Sequence, residues 1–488
     1  MKTFKIFFIA AFSMLLLGCS DFLDEEVNGA LVGNSALSSE EGLEAALTGA
    51  YKAWGTTWGS GFLHSTSIAA TMGGDDVTTH KASNKASFRE FDQFNVSETN
   101  QRTQALYTGC YKAIQGANNI IANYENTKGN EEHINTIAGE AYFVRAVSYY
   151  WLVRLYGEIP LLTQAEYTDD LLSIGKSSPE EVYALIESDL KMAEEKVPNT
   201  KRDAGRPNKG TVKAYLADVY LTEAGWPLKQ IDKYALAAAK AKEVIENKET
   251  YGFELLPSLA EVFENDPEKN GTRETVFQIS TFRGNGSTTN ANYGSAAMPG
   301  EESGWDDFFA ELNFFHDFPE GVRKEVTFRT EFITGNGEVI PWQDSQTGHP
   351  YYEKYYIKGD IRTWSSSVPE SMMRYAHVLT IYAEAQARAT GSPDALAYES
   401  INSIRRRAGL EELSGMTGTE FAKAVVQERA WEFAAERTRW FDLVRLEMVK
   451  EANANKSPED LQPLGEITKE DYTFPLPFSE TSINDNLK

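Results

Sequence analysis

The chain has 488 residues and a net charge of −25, and 41% of its residues are hydrophobic, which is typical of a globular protein. The excess of 72 acidic over 47 basic residues disfavours a nucleic-acid groove, because phosphate binding needs concentrated lysine and arginine. The two cysteines, Cys19 and Cys110, exclude a disulfide framework and a cysteine-based zinc site.

The amino terminus has the layout of a bacterial lipoprotein signal. Two lysines precede an apolar run of 12 residues, Ile6 to Leu17, and a membrane-spanning helix needs about 20. Leu-Leu-Gly then precedes Cys19, so we expect residues 1–18 to be a signal peptide that is removed and the thiol of Cys19 to be acylated. Residues 19–36 then form an acidic tether, and the protein is anchored to a membrane without crossing it.

Helical periodicity predicts that most of the remaining chain is α-helical. Ser38-Ser39-Glu40-Glu41 and Ser178-Pro179-Glu180-Glu181 are capping boxes, in which a hydroxyl and a carboxylate satisfy the first free N–H groups of a helix. Several helices pair through short connections, as in tetratricopeptide-type repeats. The predicted helices run from the first box to Trp54 and over residues 106–124, 133–156, 178–196, 209–224, 232–247, 372–389, 394–408 and 419–449.

Between about residues 251 and 369 the pattern changes to glycine, asparagine, proline and aromatic residues. Alternating residues over Thr275–Ile279 predict short strands or extended loops within this insert. An irregular stretch of this length in a helical frame usually carries a binding function. We therefore expect a single domain over residues 37–488, in which a helical scaffold holds a loop-rich insert.

The insert is rich in aromatic residues, and flat aromatic rings are what proteins use to bind the C–H faces of sugars. A second aperiodic segment, residues 71–85, contains glycine and the polar side chains that sugar hydroxyls need. We predict a ligand site where this segment meets the insert, with Trp305 leading because Ser303 and Gly304 before it leave room for a ligand. The candidate ligand-binding residues are Trp305, Trp342, Tyr293, Asp75, Asp76, Lys81 and Asn84.

The sequence offers little for catalysis. None of the six histidines stands in a zinc-binding pattern, and the sequence contains no nucleophile elbow and no phosphate-binding glycine loop. The adjacent Asp75 and Asp76 leave open a glycoside hydrolase on a helical scaffold, because such enzymes use two carboxylates. Acidic loops also suit calcium, but no ligand spacing supports it. We therefore predict no catalytic residue, no metal site and no cofactor.

Six segments form a further pattern along nearly the whole chain. They are Ile137–Ala146 with Leu152–Leu161, Gly205–Gly210, Arg374–Ala385, Ile401–Leu410, Glu428–Leu443 and Tyr472–Pro477. This pattern resembles the SusD/RagB family of nutrient-binding outer-membrane lipoproteins, although His377 stands where the family has glutamate.

The resemblance implies a mainly α, SusD-like fold, in which four tetratricopeptide-like helix pairs hold a variable, loop-rich region. It implies a non-catalytic, cell-surface lipoprotein that binds oligosaccharide and delivers it to a SusC-like, TonB-dependent transporter in the outer membrane. A binder of peptide or another nutrient remains an alternative. The matching motifs belong to the scaffold, so no ligand contact transfers by motif. The motif residues that we expect in buried ion pairs and packing are Arg145, Arg405, Glu428, Arg429, Trp440 and Asp442.

Overall fold

The computed structural model describes residues 33–56, 60–266, 271–282, 284, 289–357 and 366–488. The predicted lipidation site Cys19, the signal peptide and most of the tether lie outside the described residues. Within the described ranges, no helix combines the length and the apolar character that crossing a membrane requires.

The described chain is mainly α-helical, as predicted. Its ten helices of at least eight residues are α1 Glu40–Trp54, α2 Gln101–Asn123, α3 Glu131–Tyr156, α4 Pro179–Lys196, α5 Lys209–Glu223, α6 Lys233–Glu246, α7 Tyr375–Thr390, α8 Ala395–Arg407, α9 Gly418–Glu432 and α10 Thr438–Arg445. Shorter helices cover Thr66–Ala69, Ala86–Asp92, Lys248–Tyr251, Leu259–Val262, Leu312–Asp317, Val322–Thr327, Val449–Asn453 and Phe478–Thr481.

Helices α1 to α8 pack in sequence, so that each helix lies against the next one along the chain. This is the arrangement that the predicted helix pairs require. Small residues let the helices approach closely. A Cβ atom on Gly139 of α3 would lie 2.8 Å from the Cβ of Lys196 in α4, and one on Gly116 of α2 would lie 2.9 Å from the Cβ of Ala50 in α1. These glycines fix how closely neighbouring helices can pack.

Helix α3 shows how local sequence sets the scaffold. Asn130 caps its first turn by accepting a hydrogen bond from the backbone N–H of His133 at 3.1 Å. The helix ends at Tyr156, and the following Gly157 has a φ of 69°, which favours glycine. Between these ends, almost every residue from Ile134 to Tyr156 is buried, because α2, α4 and α1 all pack on this helix.

The loop-rich insert lies between α6 and α7 and contains most of the short strands. The strands are β1 Val77–Thr78, β2 Thr275–Ile279, β3 Phe309–Ala310, β4 Phe328–Arg329, β5 Glu331–Ile333, β6 Val339–Pro341, β7 Tyr351–Tyr352 and β8 Glu370–Arg374. They form four antiparallel pairs, β1 with β3, β2 with β8, β4 with β7, and β5 with β6. The predicted strand at Thr275–Ile279 is confirmed as β2.

The predicted helix over residues 372–389 begins later than expected. Glu370–Arg374 is strand β8, because it pairs with β2 across the base of the insert, and α7 begins at Tyr375. His377 takes over a capping role in the first turn of α7. Its Nδ1 accepts a hydrogen bond from the backbone N–H of Arg374 at 3.0 Å, and its ring stacks on Phe433 with the centroids 3.7 Å apart.

The single helix predicted over residues 419–449 is wrong. Helix α9 ends at Glu432 and α10 begins at Thr438, and the intervening Ala435 and Arg437 have φ values of 60° and 67°. The break is held by tertiary contacts. Asp76 accepts a hydrogen bond from the backbone N–H of Ala435 at 2.9 Å, and Arg437 forms an ion pair with Glu370 of β8.

The ion pairs predicted from the motifs are confirmed. The guanidinium of Arg145 donates two hydrogen bonds of 2.8 Å to Asp189, and Arg405 pairs with Glu428 at 2.5 Å. Arg429 pairs with Asp442 at 2.7 Å, beside Trp440, which is 1% exposed. Arg145, Arg429 and their carboxylates are buried in the scaffold, whereas Arg405 is partly buried, and all three pairs join parts of the helical frame.

Candidate ligand-binding cavity

The pairing of β1 with β3 brings the polar segment of residues 75–85 against the insert. Val77 faces Ala310 and Thr78 faces Phe309 in this antiparallel pair. Two segments that are more than 200 residues apart in the chain therefore meet here, and the ligand site at this meeting point stays a prediction.

A polar cavity of about 510 Å³ opens beside this pairing. Its lining includes Asn84 and Lys85 from the polar segment, Arg102 from the first turn of α2, and Trp305 and Asp306 from the insert. It therefore combines an indole ring with amide, ammonium, guanidinium and carboxylate groups, which is the mixture that a sugar ring and its hydroxyls require.

Backbone hydrogen bonds hold Trp305 in place. Its N–H donates to the carbonyl of Ser295 at 2.7 Å, and the N–H of Gly304 donates to the carbonyl of Pro299 at 2.9 Å. A Cβ on Gly304 would lie only 2.0 Å from the carbonyl oxygen of Met298. Gly304 lines the cavity, and its lack of a side chain is needed for close packing of the loop on itself, so the room that it leaves for a ligand stays a prediction.

Asp307 ties the walls of the cavity together. One of its carboxylate oxygens forms an ion pair with Lys85, and the other accepts a hydrogen bond from the hydroxyl of Ser65 at 2.9 Å. Its backbone carbonyl accepts a hydrogen bond from the hydroxyl of Thr79 at 2.8 Å. Asp307 is 3% exposed, so we assign it a positioning role.

The other charged groups of the cavity have distinct environments. Burial lowers the pKa of His64 to about 4, with a further contribution from the nearby charge of Arg102, so the imidazole is neutral at neutral pH. Burial raises the pKa of Asp306 above its usual value, while a hydrogen bond of 2.6 Å from the hydroxyl of Tyr351 opposes this effect. The ring of His64 lies edge-on to Trp305 with the centroids 5.7 Å apart.

The structure brings together two of the predicted ligand-binding residues and leaves two others outside the cavity lining. Asn84 and Trp305 both line the cavity. Lys81 is an exposed residue of the polar segment, and its ammonium donates a hydrogen bond to the carbonyl of Glu459 at 2.7 Å. Trp342 packs on Phe315 with the ring centroids 5.8 Å apart and does not line the cavity.

The remaining three predicted residues are turned into the protein. Tyr293 is 6% exposed and packs on Tyr355 with the ring centroids 4.9 Å apart. Arg439 of α10 donates two hydrogen bonds to the carboxylate of Asp75, at 2.5 and 2.7 Å. Asp76 is 3% exposed and caps the break before α10. The structure therefore corrects the prediction for Tyr293, Asp75 and Asp76, because each has protein partners in place of an open face.

The same contacts remove the basis of the glycoside hydrolase hypothesis. Hydrolysis needs two carboxyl groups that flank a substrate, but neither Asp75 nor Asp76 lines the cavity. The described residues also contain no group of three or more histidine, cysteine or acidic side chains placed to hold a metal ion.

Sequence reasoning missed several lining residues. His64 and Arg102 come from segments far from the insert, and Arg102 looks in sequence like a solvated residue of a first helical turn. Asp306 and Asp307 directly follow Trp305 but are not among the candidate ligand-binding residues. Only the tryptophan gave a signal that pointed to this loop.

A larger groove of about 980 Å³ lies elsewhere, between the ends of α3 and α10 and the carboxy-terminal segment. Its lining is mostly apolar and includes Val153, Trp226, Phe474 and Leu476. A sugar needs hydrogen-bond partners for its hydroxyls, so the smaller polar cavity is the better candidate for a glycan.

Comparison with known proteins identifies the family to which the sequence is similar. Residues 75–488 match the sequence model of the SusD family. SusD-like protein P2 of Formosa agariphila is 30% identical over 521 aligned positions, which cover 100% of this chain and 99% of that protein.

Solved structures show the same fold. A SusD superfamily protein from Parabacteroides distasonis superposes with a TM-score of 0.80 at 24% identity, covering 92% of this chain and 98% of the other. A laminarin-binding SusD-like protein superposes with a TM-score of 0.74 at 22% identity, also covering 92% of this chain and 98% of the other.

Proposed function

This chain belongs to the SusD family, and we propose that it is a cell-surface protein that binds oligosaccharides and delivers them to a SusC-like, TonB-dependent transporter. One observation carries the binding proposal. Trp305 lines a polar cavity of about 510 Å³, beside amide and charged groups that can bond to sugar hydroxyls. A laminarin-binding relative with the same fold supports the substrate class.

Trp305 is the proposed sugar platform. Stacking on an aromatic face contributes about 1–3 kcal/mol in the related case of nucleic-acid bases, so one ring supplies much of the affinity of a shallow site. The loop that holds this indole is fixed by backbone hydrogen bonds to Ser295, Pro299 and Met298. A preorganised platform of this kind loses little entropy when the ligand binds.

The binding proposal is tested by calorimetric titration with a panel of oligosaccharides. The wild-type chain should bind at least one of them, and Trp305→Ala should weaken that binding at least tenfold, about 1.4 kcal/mol. Trp342→Ala is the matched control, because Trp342 is a partly buried tryptophan of the same insert outside the cavity. Equal affinity of wild type and Trp305→Ala would contradict the assignment, and binding of peptides alone would contradict the substrate class.

The same samples separate binding from hydrolysis. We propose that the protein is not an enzyme, which the partners of Asp75 and Asp76 support. The oligosaccharides should be recovered intact after prolonged incubation, as measured by mass spectrometry. If the protein still produces shortened oligosaccharides after a second purification, this part of the proposal is overturned.

The anchor and the transporter are separate parts of the proposal. Lipidation at Cys19 is supported by the signal-like sequence before it, and it would hold the protein on the outer face of the outer membrane. Cys19→Ala should release the protein from the membrane fraction of cells that lack the transporter. Association with the transporter should be tested independently, by copurification of the transporter with the tagged protein from membranes.

A further inference from the structure

Two acidic and two basic side chains line the cavity, and only one acidic and one basic side chain form an ion pair with each other. Lys85 and Asp307 form an ion pair, and the second oxygen of Asp307 is occupied by the hydroxyl of Ser65. The other two charges are Arg102, on the first turn of α2, and Asp306, on the insert. The partners of these two residues determine the electrostatic potential in the cavity.

Arg102 has no carboxylate within ion-pair distance among the described residues, and the charge of Asp307, which is committed to Lys85, acts on it only at longer range. Its Nη1 donates to the backbone carbonyl of His64 at 2.5 Å, and its guanidinium carbon lies 4.1 Å from the centre of the Phe88 ring. Its Nε is buried without any hydrogen-bond partner. The carbonyl and the phenyl ring thus orient the guanidinium, but neither neutralises its charge.

Scaffold arginines are treated differently. Arg145, Arg374 and Arg429 each bind a carboxylate within 3 Å. A partly buried guanidinium without such a partner is costly unless something else supplies the negative charge. Its planar fork of donors suits carboxylate and sulfate groups, which can bind two N–H groups at once.

The surroundings of Arg102 strengthen its positive potential. It is the second residue of α2, a helix of 23 residues, and the amino-terminal turn of a helix carries a partial positive charge. His64 beside it is neutral at neutral pH, as its lowered pKa indicates, and does not offset or supply charge. The chain as a whole carries a charge of −25, but exposed charges beyond about 8 Å are screened at physiological salt.

Asp306 forms no ion pair with Arg102, because its carboxylate is held by groups of the insert. One of its carboxylate oxygens accepts hydrogen bonds from the N–H of Gly300 at 2.7 Å and from the hydroxyl of Tyr351 at 2.6 Å. These bonds hold it in the loop of Trp305, where a carboxylate is suited to accept hydrogen bonds from sugar hydroxyls. The cavity therefore has an acceptor on the insert side and an unpaired cation on the α2 side.

We propose that the cavity selects oligosaccharides that carry acid groups, with a uronate carboxylate or a sulfate ester bound by Arg102 while Trp305 stacks on the sugar ring. This inference rests on the proposed glycan-binding function and narrows its substrate class. Lys85 contributes less, because Asp307 already neutralises it.

The test compares acidic oligosaccharides with their own neutral derivatives. The full chain is titrated with tetragalacturonate and its carboxyl-reduced form, and with a carrageenan tetrasaccharide and its desulfated form. At least one acidic probe should bind at least tenfold more tightly than its neutral derivative, and added salt should reduce that difference. The two probe pairs distinguish a carboxylate from a sulfate ligand.

Variants of Arg102 identify the group responsible. Arg102→Gln should remove the preference for the acidic probe, so that the acidic probe and its neutral derivative bind with the same affinity. Arg102→Lys, which retains the charge, should recover part of the preference. Lys81→Gln is the matched control, because Lys81 is an exposed cation of the polar segment, residues 75–85, and does not line the cavity. Melting temperatures verify that each variant is folded.

The outcomes separate the two proposals. Equal binding of acidic and neutral probes, or an unchanged preference in Arg102→Gln, would overturn the acid-selective site while leaving glycan binding intact. If no oligosaccharide of either class binds, both proposals fail together.

Discussion

Arg429 in the scaffold and Arg102 in the cavity are both held in fixed orientations, but only Arg429 forms an ion pair with a carboxylate of the described chain. Arg429 forms two hydrogen bonds to the carboxylate of Asp442 and donates a third to the hydroxyl of Thr380. Arg102 has a carbonyl and an aromatic ring as its partners. The first arrangement stabilises the fold, whereas the second leaves binding capacity for a ligand. Variants in the scaffold and in the cavity should therefore affect stability and binding differently.

The largest effect is expected in the scaffold, from Trp440→Ala. Trp440 is 1% exposed, and its ring lies against Gly73, where a Cβ would come within 2.5 Å of the indole. Truncating a buried tryptophan costs roughly 3–5 kcal/mol, so denaturant unfolding should show a loss of this size. Glycan affinity, measured where the variant is fully folded, should be unchanged. A loss of affinity at wild-type stability would assign Trp440 to the ligand site.

Arg429→Met and Arg102→Met compare the two arginines directly. The first leaves Asp442 buried with Arg445 as its remaining cation, at 2.8 Å. Breaking a buried ion pair costs about 3–5 kcal/mol, and we expect the lower end of this range from denaturant unfolding. Arg102→Met should change the stability of the ligand-free protein by less than about 1 kcal/mol, because no ion pair is lost. Equal losses would show that Arg102 is a scaffold residue.

Asp76→Asn tests a carboxyl group that the scaffold keeps buried. Burial raises the pKa of Asp76 to about 6, from about 3.8 in the unfolded chain. Between these values the folded protein binds more protons, so the contribution of Asp76 to stability is complete below pH 3.8 and is lost as the pH rises through 6. The stability of the wild type should fall relative to Asp76→Asn by about 2–3 kcal/mol between pH 4 and 7. A constant difference across this range would contradict the raised pKa.

The smallest effect is expected from Gly304→Ala in the loop of Trp305. An added methyl group would lie 2.0 Å from the carbonyl oxygen of Met298 and should displace the loop. Glycan affinity should fall several-fold while the melting temperature stays close to that of the wild type, because the helical scaffold is untouched. Gly335→Ala is the control, since a Cβ there meets no atom within 4 Å. Unchanged affinity in Gly304→Ala would argue against a preorganised platform.

The helices were predictable from the sequence because each depends on local signals. The box beginning at Ser178 caps α4 as predicted, and the apolar spacing from residue 133 to 156 falls within α3. The errors lie where distant contacts override local preference. Residues 372–374 join a strand because β2 lies alongside them, and the segment 433–437 leaves the helical path to meet Asp76 and Glu370.

The candidate cavity was predictable only in part. Trp305 stands out in sequence as an aromatic residue within a polar, glycine-bearing loop. Tyr293 and Trp342 gave the same signal, yet one is buried on Tyr355 and the other packs on Phe315. Nothing in the local sequence separates a ring that faces a cavity from a ring that packs beneath a loop, because the difference depends on what approaches it from elsewhere in the chain.

The sequence by itself determined the helical scaffold, the position of the insert and the membership of its motifs in one family, because periodicity, caps and motif residues act over short distances. The tertiary structure decided the role of each charged residue. Asp75 became a scaffold residue because Arg439, 364 positions away, binds it. Arg102 became a candidate ligand residue because, among the residues that the structure describes, folding brought no carboxylate within ion-pair distance of it. The free energy of a buried charge depends on its partners, and only the fold determines which partners are present.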